Sequence, residues 1–329
     1  MAKVCVTGAA GFIGHHLCRY LKERGYWVRG VDYREPDYEV IADQVDWRCD
    51  LRDRWKALEK AIAGMDHVYA LAADMGGMGF VGSGQNDLEI MENNTAINLN
   101  TLWAARRVGV KRYLFTSSAC VYNADLQAQI EAPMLREEDA YPPKPDTPYG
   151  WEKFYTELLC EQYGIHTDME VRVARFHNIY GPEGAWRGGR EKAPTWISRL
   201  VAEQKLGIAD TTTVQLHGDG KQTRSFCFID DCLDMLYALM QSDYSAPLNI
   251  GTDRAISMNE LARLIADIAG IDITISYNPD APVGVRGRNA DLARMRQVLG
   301  LEPQISLEKG MTITYRWVEE QVRCQMSRS

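Results

Sequence analysis

The chain predicts an α/β fold: a doubly wound parallel sheet, with a smaller α/β lobe woven into its C-terminal half. Three observations lead there. Short apolar runs alternate with stretches whose apolar residues recur at helical spacing. The N-terminal runs are close to continuous, as strands covered on both faces require. A glycine-rich turn, "TGAAGFIG", joins the first run to the first helix.

Each element follows from its local pattern. "KVCVTG" is a short apolar strand, and "FIGHHLCRYLKERG" is a helix that stops at Gly25. "YWVRGVDY" reads as a strand, "RWKALEKAIAG" as a helix and "HVYALAA" as a strand. "NTAINLNTLWAARRVG" is a helix and "KRYLFTSSA" a strand. Another helix starts at about Tyr149, followed by one continuous strand, "EVRVARFHNIYG". After Gly181 the pattern changes to a loop rich in glycine and charge, "PEGAWRGGREKAP", with a helix from about Thr195. "VQLHGDGKQTRSFCFIDD" reads as strand, turn, strand. "SMNELARLIADIAG" opens with Ser257 and Glu260 at capping-box spacing and ends at Gly270. "DITISYNP" is a strand, and "MTITYRWVEEQV" a closing helix. No internal repeat or low-complexity linker interrupts the chain. The expected division is a nucleotide-binding domain over 1–176, with a returning segment at about 221–250, and a second lobe from 177–220 and 251–329.

Bulk properties narrow the function classes. A chain of 329 residues with 46% hydrophobic content has ample material for a large core. Its net charge of −8 argues against nucleic acid or an anionic membrane as the main partner. No apolar run approaches the ~18 residues of a bilayer span. The first residues enter a strand with no signal-peptide pattern, and none of the eight cysteines forms a C-x-x-C pair. Reduced thiols and a cytoplasmic location are the expectation. His15 and His16 are adjacent on a helix and face different ways, so no metal site is expected.

The glycine turn points to a dinucleotide. Gly8, Gly11 and Gly14 remove side chains where the backbone must turn tightly and approach a pyrophosphate. The helix that opens at Phe12 and Ile13 offers free N–H groups and a partial positive charge. Asp32 ends the second strand, where a carboxylate binds a ribose diol and repels a 2′-phosphate, favouring NAD over NADP. Arg34 is the counterweight, because a guanidinium accepts that phosphate. Asp50 and Leu51, with Leu71, Ala72 and Ala73 at the end of the strand "HVYALAA", complete the expected cofactor site.

Tyr149 and Lys153 stand at i and i+4, on one helix face. An ammonium there lowers the pKa of a phenol, which is ~10 when free. The phenolate then accepts a hydroxyl proton as hydride leaves for a nicotinamide, and Ser118 hydrogen-bonds the same oxygen. Cys120 follows directly. By position alone a strand-end cysteine is a small buried hydrophobe.

"TGAAGFIG", "SSACVY" and "YGWEK" together resemble the extended short-chain dehydrogenase/reductase family, the NAD-dependent epimerases and dehydratases built on a Rossmann sheet. "AADMGGMGF", "RFHNIYGPEGAWRGGREKAP", "GDGKQTRSF" and "GVRGRN" narrow the likeness to members that epimerise GDP-hexoses, from about Val4 to Trp317. The resemblance implies a redox-neutral inversion of C3 and C5 through a transient C4 ketone, with NAD as cofactor and a GDP-sugar as substrate. Tyr149 and Lys153 would serve hydride transfer, and Cys120 and Lys192 would be the acid–base pair. Both groups are competent, since neighbouring cations lower a thiol pKa and desolvation lowers that of an amine. By matching motifs, Gly76, Ser118, Ala119, Asn178, Glu191, Ala193, Gln222, Thr223, Arg224 and Arg288 would join Cys120 and Lys192 in contacting the substrate, the two arginines at the diphosphate. A homodimer through helices near 90–109 and 149–164 is also implied.

Alternatives remain open on sequence. A C5-only or C4 epimerase fits the same frame, as does a GDP-heptose substrate. A 4,6-dehydratase would want a Thr-Asp-Glu stretch where Cys120, Val121 and Tyr122 stand. From a different class, a non-catalytic nucleotide sensor would have no use for Ser118, Tyr149 and Lys153 together.

Overall fold

Strand residues with both faces covered must be apolar at every position, and the first strand shows it. Val4 and Val6 face one core and Cys5 the opposite one, all without exposed surface. The structure, a computed structural model, describes residues 1–53, 56–209 and 213–327.

The first half runs β1 (Lys3–Thr7), α1 (Phe12–Glu23), β2 (Trp27–Val31), β3 (Gln44–Asp46), α2 (Lys56–Ile62), β4 (His67–Ala70), α3 (Met78–Val81), α4 (Asp87–Arg107), β5 (Arg112–Ser118), α5 (Pro148–His166) and β6 (Glu170–Phe176). The second half runs β7 (Ile179–Tyr180), α6 (Ala193–Lys205), β8 (Thr213–His217), β9 (Thr223–Ser225), β10 (Cys227–Phe228), α7 (Ile229–Gln241), β11 (Pro247–Ile250), β12 (Ala255–Ser257), α8 (Met258–Ala269), β13 (Thr274–Asn278), β14 (Gly287–Arg288), α9 (Ala293–Leu299) and α10 (Leu307–Met326).

Seven strands form the central sheet in the order β11-β6-β5-β4-β1-β2-β3. Every pairing in it is parallel. Strand order reverses between β1 and β4, so a crevice opens beyond their C-terminal ends. The doubly wound prediction therefore holds. One core, with Leu17, Leu114 and Leu236, lies under α1 and α7; the other, with Leu58, Leu102 and Phe115, lies under α2 and α4.

Several element predictions need correction. The expected helix from Arg54 begins, within the described residues, at Lys56; Arg54 and Trp55 lie outside them. The run from Glu170 to Gly181 is two strands, because Asn178 takes a left-handed φ of 45° and its Nδ2 donates to the Ser225 carbonyl at 2.9 Å. Asparagine tolerates that region, and the break separates β6 from β7. The strand, turn, strand reading of "VQLHGDGKQTRSFCFIDD" holds, but the strands do not pair with each other: β8 pairs with β13, and β9 with β12 and β14. Helix α7 and strands β3 and β11 were not anticipated. The Ser257–Glu260 capping box and the left-handed Gly270 cap are present as expected.

Beneath the crevice lies a buried polar chain. His177 Nε2 donates to Asn249 Oδ1 at 2.9 Å, while its Nδ1 has no hydrogen-bond partner. Burial pushes the His177 pKa down from 6.5 to about 3, and burial with His15 pushes that of His16 to about 4. Below pH 6.5 the unfolded chain binds protons that the folded chain refuses, so stability falls as pH drops from 6.5 toward 4. Thermal melts across that range should show a falling midpoint. His177→Asn should flatten the slope.

Candidate active site

The crevice is the mouth of one cavity of about 1520 Å³. The glycine turn lines one end and the second lobe the other. Gly8 adopts φ 71°, and a Cβ on it would meet the backbone of Ala72 at the end of β4. This close approach draws together the two chain segments that flank the sheet's switch point. Asp32 is buried beside them; its Oδ2 accepts from Ala10 N at 3.0 Å and its Oδ1 from Tyr33 N at 2.8 Å. Burial pushes its carboxyl pKa up, against the pull of those N–H groups. Asp50 is paired with Arg52 at 2.6 Å, which pulls its pKa down, and Arg34 leans on Asp37 at 3.5 Å. A backbone cradle at a helix N-terminus with a buried carboxylate at the next strand end fits a dinucleotide. Gly11, Phe12, Ile13, Gly14, Leu51, Leu71, Ala72 and Ala73 line the same end.

The middle of the cavity holds the tyrosine site. Thr147 caps α5 by accepting from Gly150 N at 3.2 Å, and Pro148 stands in the first turn with Tyr149, which lines the cavity. Ser118 ends β5 and accepts from Cys120 N at 3.2 Å, starting a short turn over Ala119–Val121. The electrostatics differ from expectation. Burial pushes the Tyr149 phenol well up, Cys120 and Glu152 add to it, and only the Ser118 hydrogen bond pulls it down. Lys153 Nζ lies 5.6 Å from the Tyr149 ring and donates to the Thr116 carbonyl at 3.3 Å. Burial lowers its pKa as well. In the protein alone Tyr149 is therefore a phenol rather than a phenolate, because desolvation outweighs the ammonium.

Cys120 is half-buried and faces cations. Arg288 Nη1 donates to its Sγ at 3.2 Å, while Nε reaches Gln127 Oε1 at 2.5 Å and Nη2 lies 3.5 Å from Asp146. Burial pulls the Arg288 guanidinium down, but Cys120 and Asp146 outweigh it and leave its pKa raised. Arg224 donates to the carbonyls of Thr223 and Val283 at 2.8 and 3.1 Å. Burial and the nearby Arg288 charge lower its pKa to about 9. Lys192 stands at the N-cap of α6 and lines the same cavity; burial lowers its pKa, with Cys120 opposing.

Gly76, Asn178, Glu191, Ala193 and Gln222 also line the cavity. Thr223 does not. Its Oγ1 donates to the Ile130 carbonyl at 2.9 Å, because alternate residues of β9 face opposite ways. Sequence reasoning missed Asp146, which faces Arg288, and the clasp that holds Lys192. In that clasp Gly77 N donates to the Arg190 carbonyl at 3.1 Å. The Arg190 side chain binds Asp74 at 2.8 Å and lies 3.9 Å over the Phe80 ring. The doubled glycine of "DMGGMGF" was the available signal. A Cβ on Gly77 would collide with the Glu191 carbonyl. Gly77→Ala should therefore displace Lys192 and lower turnover about 100-fold, the scale of a 1 Å misplacement. Steady-state rates alongside cofactor titration would check it, with NAD affinity unchanged.

Comparison with known proteins agrees with this geometry. Residues 4–251 match the model of the NAD dependent epimerase/dehydratase family. GDP-mannose 3,5-epimerase of Arabidopsis thaliana is 42% identical over 323 residues, covering 97% of this chain and 83% of that protein. GDP-mannose 3,5-epimerase 1 of Oryza sativa subsp. japonica is 43% identical over 322 residues, covering 97% and 82%. Among solved structures, UDP-glucose 4-epimerase of Thermotoga maritima with UDP-glucose superposes with a TM-score of 0.85 at 25% identity, covering 97% and 99% of the two chains. MoeE5 in complex with UDP-glucuronic acid and NAD gives 0.82 at 29%, covering 97% and 100%.

Proposed function

This chain belongs to the NAD dependent epimerase/dehydratase family, and on that premise we infer that it epimerises GDP-D-mannose at C3 and C5, giving GDP-L-galactose and GDP-L-gulose. One observation carries the inference: Tyr149, Cys120 and Lys192 all open on a single cavity continuous with the dinucleotide cradle.

C–H bonds at C3 and C5 of a hexose are inert until C4 is a ketone, when their carbanions become enolates. NAD supplies, when bound, the hydride acceptor that makes this ketone and the hydride that removes it. Gly8, Gly11, Gly14 and Asp32 would hold it. Tyr149 must first lose its own proton, which the positive charge of a bound oxidised cofactor would favour; as phenolate it then accepts the C4 hydroxyl proton and later returns it. Its burial raises the cost of the phenolate, so its proton moves only as the neighbouring charge changes. Cys120 and Lys192 work as the acid–base pair at the flanking carbons. The lowered pKa of Lys192 leaves a larger neutral fraction near pH 7 than an exposed lysine would have. Arg288 donates to the Cys120 sulfur and holds it in the cavity, and Arg224, whose pKa burial and then the nearby Arg288 charge lower to about 9, gains from a diphosphate.

The sheet domain, 1–176 with the returning segment at about 221–250, would hold the cofactor, and 177–220 with 251–329 the sugar nucleotide. The pairing of β11 with β6 supports that return. A homodimer through α4 and α5 belongs to the same reading. Trp151, Tyr155, Leu158 and Ile165 leave an exposed apolar stripe along α5, and Leu88 is exposed on α4. Among the described residues no helix is long and apolar enough to cross a membrane. The free cysteines fit a reducing cytoplasm.

Incubation with GDP-mannose in deuterated water tests the inference. Label at C3 and C5, read by mass spectrometry and NMR, is expected. Label at C5 alone would identify a C5 epimerase, and none at either carbon would reject both.

A further inference from the structure

Beside Cys120 the cavity holds two arginines and a carboxylate, and a diphosphate site by itself has no use for the carboxylate. Strands β9 and β14 run parallel with Arg224 in register with Arg288. Residues in register on neighbouring strands project from the same face, so the two guanidinium groups stand side by side. Arg288 is buried and Arg224 half-buried. Arg224 is fixed on its own lobe by the Thr223 and Val283 carbonyls, to which it donates at 2.8 and 3.1 Å. Arg286, two positions before Arg288, is occupied by Asp219 at 2.9 Å.

Arg288 reaches further. Its Nε donates to Gln127 Oε1 at 2.5 Å and its Nη1 to Cys120 Sγ at 3.2 Å. Its Nη2 is buried and makes no hydrogen bond. The Asp146 carboxylate lies 3.5 Å from that nitrogen, paired by charge rather than by a well-aligned hydrogen bond. No other carboxylate among the described residues pairs with either arginine.

Asp146 is placed with some constraint. It stands in the loop before α5, directly ahead of the Thr147 cap. The residue as a whole is exposed, yet its side chain is only 17% exposed, so the carboxylate is turned inward to the cavity wall. There it opposes the arrival of a diphosphate, because like charges brought together at a binding site weaken association. It also competes for Arg288. A phosphate group draws a guanidinium into a two-pronged contact, which would swing Nη1 off the sulfur. A carboxylate on Nη2 keeps that fork occupied on the side away from Cys120.

We propose that Asp146 is a positioning residue: its carboxylate holds the Arg288 guanidinium on the Cys120 sulfur against the pull of a bound diphosphate, and thereby weakens substrate binding. This deepens the epimerase reading and rests on it. Asp146 acts through Arg288 and touches neither the cofactor cradle nor Tyr149.

Two measurements test it: calorimetric titration of the NAD-loaded chain with GDP, and exchange of solvent deuterium into saturating GDP-mannose. Asp146→Asn keeps the side-chain size and removes the charge. GDP should then bind about tenfold more tightly, as removal of one like-charge contact allows. Exchange should slow by at least about tenfold, because the guanidinium follows the phosphate and leaves the sulfur misplaced. Asp146→Glu restores the charge and should return both quantities toward wild type. A purely structural role would weaken binding and exchange together, so opposite signs are the signature. GDP affinity that is unchanged or weaker in Asp146→Asn overturns the proposal, as does exchange at the wild-type rate. A wild type that exchanges neither carbon rejects the epimerase reading instead. The GDP titration needs no turnover, and it then still shows whether Asp146 opposes a diphosphate.

Discussion

Cys120→Ala should abolish incorporation of solvent deuterium into GDP-mannose while the protein still carries NAD. The sulfur is the only group removed. Arg288, which donates to it at 3.2 Å, keeps Gln127 at 2.5 Å and Asp146 at 3.5 Å. The cofactor cradle at Gly8 and Asp32 belongs to other elements. Loss of a positioned acid–base group costs about 10²–10⁴-fold, and the uncatalysed exchange is negligible beside it. Cys120→Ser should be almost as inactive, because a hydroxyl is far less acidic than a thiol. Exchange measured separately at C3 and C5 is the readout. Retention of wild-type exchange at both carbons would remove Cys120 from the mechanism.

The largest loss of stability is expected at Arg175→Met. Arg175 is 1% exposed, and its Nη2 and Nε bind both oxygens of Glu157 at 2.6 and 2.9 Å. Its Nη1 donates to the Glu137 carbonyl at 2.6 Å, and Ser117 Oγ donates to Glu157 at 2.5 Å. Methionine replaces the volume but leaves Glu157 a buried, unpaired charge. Removing one partner of such a pair costs about 3–5 kcal/mol. Urea denaturation should show it, and adding Glu157→Gln should recover much of the loss. If the double variant is no more stable than Arg175→Met, the unpaired charge is not the cause. Ser117 adjoins Ser118, so weakened exchange activity should accompany the lost stability.

Legibility differed by the range of the interaction. The glycine turn, the Tyr149–Lys153 pair and the Ser257–Glu260 cap lie within one turn of their own element, where spacing alone dictates geometry. The same holds for β1, whose apolar run reports two covered faces. Helix α7 was legible in principle, since Ile229, Cys232, Leu233, Leu236 and Leu239 recur at helical spacing and are buried. The preceding strand signal masked it. Thr223 pointed away because strand phase follows pairing, and β9 pairs with β12 and β14 rather than with β8. Arg288 was expected at a phosphate. The fold sets it in the cavity wall, where it also donates to the Cys120 sulfur, 168 positions away in the chain.

What the sequence determined by itself was the alternation of strands and helices around the cofactor turn, that turn, and the chemical types available for catalysis, because short-range sterics and hydrogen bonding set these. Only the tertiary structure decided which charges meet. His15 reaches Glu183, Arg288 reaches Cys120, and Gly77 admits the Lys192 loop. Such contacts form when distant segments close on one another, and burial then sets their protonation. No local spacing in the chain encodes either event.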